Sequence, residues 1–143
     1  MSKGAGVRQV GVVVLAVLAT GLGLGCAVEG PAFQEATASP QKSVIYLYRP
    51  NKVLGSAVTG TVNCGDYSIA LGNGGYHPFI VDPGTVRCSV FSESTSSVEI
   101  NAEPGKEYYV KESTGWGVLA ARYYLEIPDT GVGPEEIRDC KLQ

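Results

Sequence analysis

Basic charge is scarce in this 143-residue chain, with 11 lysines and arginines against 14 aspartates and glutamates. A net-acidic chain gains nothing from counterion release on a nucleic-acid backbone, so no nucleic-acid partner is expected. Imidazole is scarcer still: His77 stands alone. The four cysteines form no C-x-x-C, and no ligand spacing supports a zinc site, so neither a metal nor a cofactor is expected. No Asn-x-Ser/Thr sequon occurs; Asn51, Asn63, Asn73 and Asn101 all lack it. The apolar run Val10–Leu24 is 15 residues, short of the roughly 20 that a membrane-spanning helix needs. It also holds Gly11, Gly21 and Gly23, each lowering helix propensity by about 1 kcal/mol relative to Ala. The glycines at 21, 23 and 25 make no dinucleotide fingerprint, because no strand precedes them in a βαβ unit.

What is present is an address. Lys3 and Arg8 form a charged start, the apolar run follows, and Leu22-Gly23-Leu24-Gly25-Cys26 closes it. A basic n-region, an apolar h-region and small residues before a cut site describe an export signal. The cysteine after Gly25 resembles a bacterial lipobox, with Gly23 where Leu is usual and Leu22 one place earlier. That resemblance implies cleavage before Cys26 and a diacylglycerol on its sulfur. Ala27, not Asp, follows the cysteine, which by resemblance to Gram-negative lipoproteins implies the outer membrane, facing the periplasm. The expected division is a signal peptide over 1–25, a lipidated cysteine and flexible linker over 26–41, and one domain over 42–143. The mature chain would carry nine basic and 14 acidic residues, a net −5, so lipid and not charge would hold it on a membrane. One acyl chain anchors only marginally; a lipobox modification supplies more than one. The linker has no apolar period, and as a coil its 15 residues would span about 20 Å.

From Ser43 the composition changes. Ser43–Tyr48 is β-branched and aromatic on both faces, which predicts a central, covered strand ended by Arg49-Pro50. Val58, Gly60, Val62 and Cys64 share one face of a second strand. Tyr67, Ile69 and Leu71 alternate in a third, and Gly72-Asn73-Gly74-Gly75 predicts a hairpin. The return strand Tyr76–Val81 carries Pro78, which points to an edge. Val86, Cys88 and Val90 face inward next, then Val98, Ile100 and Ala102, then Tyr108–Val110. Ser113–Gly117 reads as a loop before the longest strand, with Leu119, Ala121, Tyr123, Leu125 and Ile127 on one face. Pro134–Cys140 predicts a short helix docked by Ile137 and Cys140. Turn punctuation every 8–12 residues argues for an all-β fold, a small antiparallel β-sandwich of seven to eight short strands with a short C-terminal helix.

Tyr48-Arg49-Pro50, the stretch from Gly72 to Asp82-Pro83-Gly84-Thr85, and Glu103-Pro104-Gly105-Lys106-Glu107-Tyr108-Tyr109-Val110 together resemble an uncharacterised bacterial lipoprotein family of unknown function. The resemblance covers about Lys42–Leu142. It implies an exported β-sandwich and supplies no activity and no catalytic residue.

Candidate chemistry is thin. Cys64 and Cys88 fall in the inward phase of their strands, which makes them the candidate disulfide, with Cys140 the rival partner. A catalytic thiol would need His77 as its base. Asp66, Asp82 and Glu103 sit where turns want them. Arg49 is a candidate contact residue for a carboxylate or phosphate, weighed against pairing with a neighbouring acid. Trp116, between two glycines, is a candidate contact at a binding surface or a plug over the open end of the sandwich. The expectation is a lipid-anchored, non-enzymatic cell-envelope module that contacts another envelope protein through an edge strand or the Trp116 loop. The alternative is a binder of small ligand or glycan, or an inhibitor of a cell-wall hydrolase.

Overall fold

The computed structural model describes residues 27–143; the expected signal peptide over 1–25 and Cys26 lie outside the described residues. Among the described residues nine strands form two sheets. They are β1 (Ser43–Tyr48), β2 (Gly60–Cys64), β3 (Tyr67–Leu71), β4 (Gly75–Val81), β5 (Gly84–Phe91), β6 (Thr95–Ala102), β7 (Glu107–Trp116), β8 (Ala121–Glu126) and β9 (Lys141–Leu142). A helix α1 (Val132–Glu136) and a 3₁₀ turn (Ile137–Asp139) precede β9. One sheet runs β8-β7-β1-β4-β9 and the other β3-β2-β5-β6. The fold is an all-β sandwich.

β1 is the centre. It pairs antiparallel with β4, from Ser43↔Val81 to Tyr48↔Tyr76, and parallel with β7, from Val44↔Glu107 to Tyr48↔Lys111. The β1–β7 and β4–β9 pairs are parallel, an arrangement that period-2 patterning does not report. All six β1 residues are buried. Ile45 and Leu47 face the second sheet, where they join Val62, Cys64, Val90 and Ile100 in one core, with Val110 beside Leu47 on β7. Val44, Tyr46 and Tyr48 face outward and are covered by Ile137, Cys140, Phe33, Ala36 and Ala38.

That cover differs from the flexible linker expected over 26–41. Ala27 bridges to Asn73 and Ala32 to Lys141, and the segment then crosses the sheet towards the start of β1. The Phe33 ring stands edge-on to Tyr46 and Tyr76, with centroids 5.5 and 5.1 Å apart. The Tyr46 hydroxyl accepts from the Ala36 N–H at 2.8 Å, and that of Tyr76 from the Gln34 N–H at 3.2 Å. The segment has no apolar period because a few contacts and tyrosine hydroxyls hold it, not a buried face.

Two strand limits also move. β7 runs through Ser113–Trp116, so the longest strand is β7, and the turn lies at 117–120. Pro78 sits on β4, inside the sheet; β9 covers only Gly75 and Tyr76, so Pro78 needs to donate nothing on that side.

Candidate functional site

The site lies at one end of the sandwich, where β7 and β8 turn. Trp116 pairs with Ala121 across the hairpin. Trp116 is 83% exposed, Val118 83% and Leu119 92%. Beside them the loop after β1 brings Val53, 95% exposed, and Leu54. Single exposed apolar residues are ordinary; a cluster of them on one tip marks a contact surface. Between hairpin and loop opens a cleft of about 410 Å³, lined by Leu54, Gly55, Val58 and residues 114–121. Its polar equipment is the Thr114 hydroxyl, the Trp116 indole N–H and main chain, with no acid, thiol or imidazole in the lining. Such a surface supports apolar contact.

The tip is held from beneath by Glu93, in the turn between β5 and β6. Its Oε2 accepts from the Val118 N–H at 2.9 Å and from Arg122 Nε at 3.0 Å. Its Oε1 accepts from the N–H groups of Leu119 and Ala120. Three amides of a tight turn point one way and need an acceptor, and a carboxylate satisfies them. Those bonds, that of Leu119 foremost, pull the Glu93 carboxyl down to about 2. Gly117 packs so closely on the Ala120 carbonyl and Glu93 that a Cβ there would collide with both.

Arg49 secures the neighbouring loop. Nη2 donates to the Gly55 carbonyl at 2.6 Å and Nη1 to that of Val58 at 2.8 Å. Gly55 has a φ of 78°, which a β-carbon would strain, and Thr114 Oγ1 donates to the adjacent Leu54 carbonyl at 3.2 Å. Arg49 is 2% exposed, and of its two readings the structure shows the pairing with a neighbouring acid rather than a contact for a ligand. It is an internal clamp, and it shares the interior with Glu112 on β7, Nη1 to Oε1 3.4 Å. Glu112 is fully buried and its Oε2 has no partner, so burial raises its carboxyl to about 7 against the opposing pull of Arg49.

The other residues singled out in the sequence are scattered. Cys64 and Cys88 stand opposite each other on β2 and β5 and are disulfide-bonded. Cys140 is a buried free thiol, pushed up to about 12 by burial, against the Arg49 carbonyl. His77 Nδ1 lies 2.6 Å from the main-chain oxygen of Gln143, not on a thiol or carboxylate. Trp116 does not fold back as a plug; it projects from the end it was expected to close. Cys26 lies outside the described residues.

The edge of β8 is closed. Ser92 Oγ accepts from the Tyr123 N–H at 3.3 Å and Ser96 Oγ from the Leu125 N–H at 3.0 Å. Serines of the opposite sheet thus occupy donors that an added strand would need. Sequence reasoning missed Glu93 and Glu112. Ser92-Glu93-Ser94 looks like a solvated polar turn, and the cue was its counterpart: Gly117–Ala120 has four amides and no side-chain acceptor of its own. Compared with protein-family models and with characterised proteins, the chain matches none.

Proposed function

We propose that this chain is an exported, lipid-anchored module of the cell envelope, at the outer membrane facing the periplasm. It binds or scaffolds another envelope component and is not an enzyme. One observation carries the reading. Ala27, the residue after Cys26, already lies on the sandwich, with the Val28 N–H bonded to the Asn73 carbonyl at 3.0 Å. A lipid on Cys26 would therefore sit one residue from the folded domain. The apolar tip supplies a contact surface, and the buried Cys140 thiol supports binding over catalysis. The ligand or glycan reading is favoured by a tyrosine-lined concavity: the cleft at the tip is lined by Leu54, Val58 and the hairpin, whereas a second cleft of about 260 Å³ has Tyr108 and Tyr109 in its lining and keeps that reading as the alternative.

The test is the intact mass of the protein extracted with detergent from native membranes, then denatured and alkylated without reduction. The expected product begins at Cys26, carries acyl chains, and gains one alkyl group, at Cys140. A soluble, unacylated chain would sink the anchor.

A further inference from the structure

We infer that the tip formed by Trp116, Val118, Leu119, Val53 and Leu54 is a bilayer-docking surface that seats the sandwich end-on in the membrane holding its lipid; this rests on the anchored reading of Cys26. Ala27 runs parallel to Asn73, at the turn before β4, so Ala27, the exit of the described chain towards Cys26, sits at that end of the sandwich. Asn73 Nδ2 donates to Asn51 Oδ1 at 2.7 Å, and Asn73 Oδ1 accepts from the Lys52 N–H at 3.0 Å. The exit is therefore tied to the loop that carries Val53 and Leu54.

The hairpin tip belongs to the same end. β1 and β7 are parallel, with Tyr48 opposite Lys111, and β7 continues five residues further to Trp116. β4 is antiparallel with Tyr48 opposite Tyr76, which leaves Asn73 three residues out. At about 3.3 Å per residue, Trp116 projects roughly 7 Å beyond the exit along the strands. Interfacial elements bury their apolar faces about 5–10 Å into the headgroup and acyl boundary. A lipid fixed at Cys26 would hold the domain at the height where the tip enters that layer. Because residues 27–38 lie on the sheet, no slack remains to lift the tip away.

Charge agrees with this orientation. Glu93 under the tip is turned onto the loop's own amides and Arg122, so no carboxylate is offered forward there. Exposed Lys52 and Lys141 flank the exit beside one exposed acid, Glu29. The acidic turns at Asp66, Asp82 and Glu103 lie at the opposite end, where β1 begins. Trp, Val and Leu on a rigid turn suit the interface better than a charged surface would.

Trp116 is the sole tryptophan, so its fluorescence reports the tip alone. The chain from Cys26 to Gln143, which holds every described element, is coupled through the Cys26 thiol to maleimide-headgroup lipid. The vesicles are phosphatidylethanolamine and phosphatidylglycerol. Docking predicts blue-shifted emission, a several-fold loss of acrylamide quenching, and quenching by acyl-brominated lipid. The Val118→Ser, Leu119→Ser double variant should regain acrylamide quenching, while an unreactive Cys140 reports that it is folded. A tethered native chain quenched by acrylamide as fully as the free chain overturns the inference and leaves the tip to a protein partner. Chemical tethering separates this result from the anchor itself, which the intact mass decides.

Discussion

Arg49 and Glu112 meet inside the sandwich with Nη1 3.4 Å from Oε1, and the second carboxylate oxygen of Glu112 has no hydrogen-bond partner. The arginine is well supplied by the carbonyls of Gly55 and Val58. The glutamate is not. A buried ion pair with one unsatisfied oxygen is weak support for stability, because desolvation outweighs a single long contact.

Glu112 should therefore make the fold less stable as pH rises. The folded chain keeps its proton up to about 7, above the ordinary carboxyl value of 4.5. Between those values the folded state binds more protons than the unfolded one. Stability falls across that window and the full cost is reached above about pH 7. Glu112→Gln removes the titration. Urea melts should show the variant more stable at pH 8 by on the order of 2 kcal/mol, with little gain at pH 4.5. An equal gap at both values would mean that the carboxyl does not titrate in this window.

Glu93 behaves in the opposite sense. Its carboxyl is pulled down to about 2 by the Leu119, Val118 and Ala120 amides, so its contribution is present above the usual carboxyl range and is lost as pH falls through about 2. Glu93→Ala should speed amide exchange at 118–120 while leaving β1 protected. Glu93→Gln, which keeps an acceptor oxygen, should fall between. Unchanged exchange in the alanine variant would show that the turn holds itself.

Phe33→Ala removes two edge-on ring contacts that hold the amino-terminal segment to Tyr46 and Tyr76. Phe33 is half-buried, so the loss should be about 2 kcal/mol, under the 3–5 typical of a fully buried ring. Limited proteolysis should then cut within 27–41. Continued resistance would assign the ordering to the tyrosine hydroxyls instead.

The Cys64→Ala, Cys88→Ala double variant opens a loop closed across 24 residues. In the chain-entropy view that costs about 3 kcal/mol. Thermal melts should drop accordingly, and a loss under about 1 kcal/mol would mean that the unfolded chain retains structure across this loop.

Much of the sandwich was legible because its strands alternate cleanly. Val62 and Cys64, Cys88 and Val90, Ile100 and Ala102 all point where period two puts them. The unbroken apolar run of β1 marked the one strand covered on both sides. Its cover was not legible, because Phe33, Ala36 and Ala38 form no pattern until Tyr46 and Tyr76 are in place. The turn at 117–120 was misplaced for a related reason: Gly115 and Gly117 flank Trp116 and read as a loop, whereas β7 carries Gly115 as strand against Arg122. Arg49 was legible as the end of a strand but not as a clamp, since the carbonyls it grips carry no sequence signature.

The central position of β1 also sets the order in which the molecule can assemble. Its residues come first in the domain, yet Val44 finds its parallel neighbour only at Glu107, 63 residues later. Closing so long a loop before the contact rewards it slows folding. A chain crossing a membrane amino end first would hold Ile45 and Leu47 uncovered until most of the domain had followed. Such a chain gains from a holding partner during transit, and the aggregation-prone interval ends only when β7 arrives.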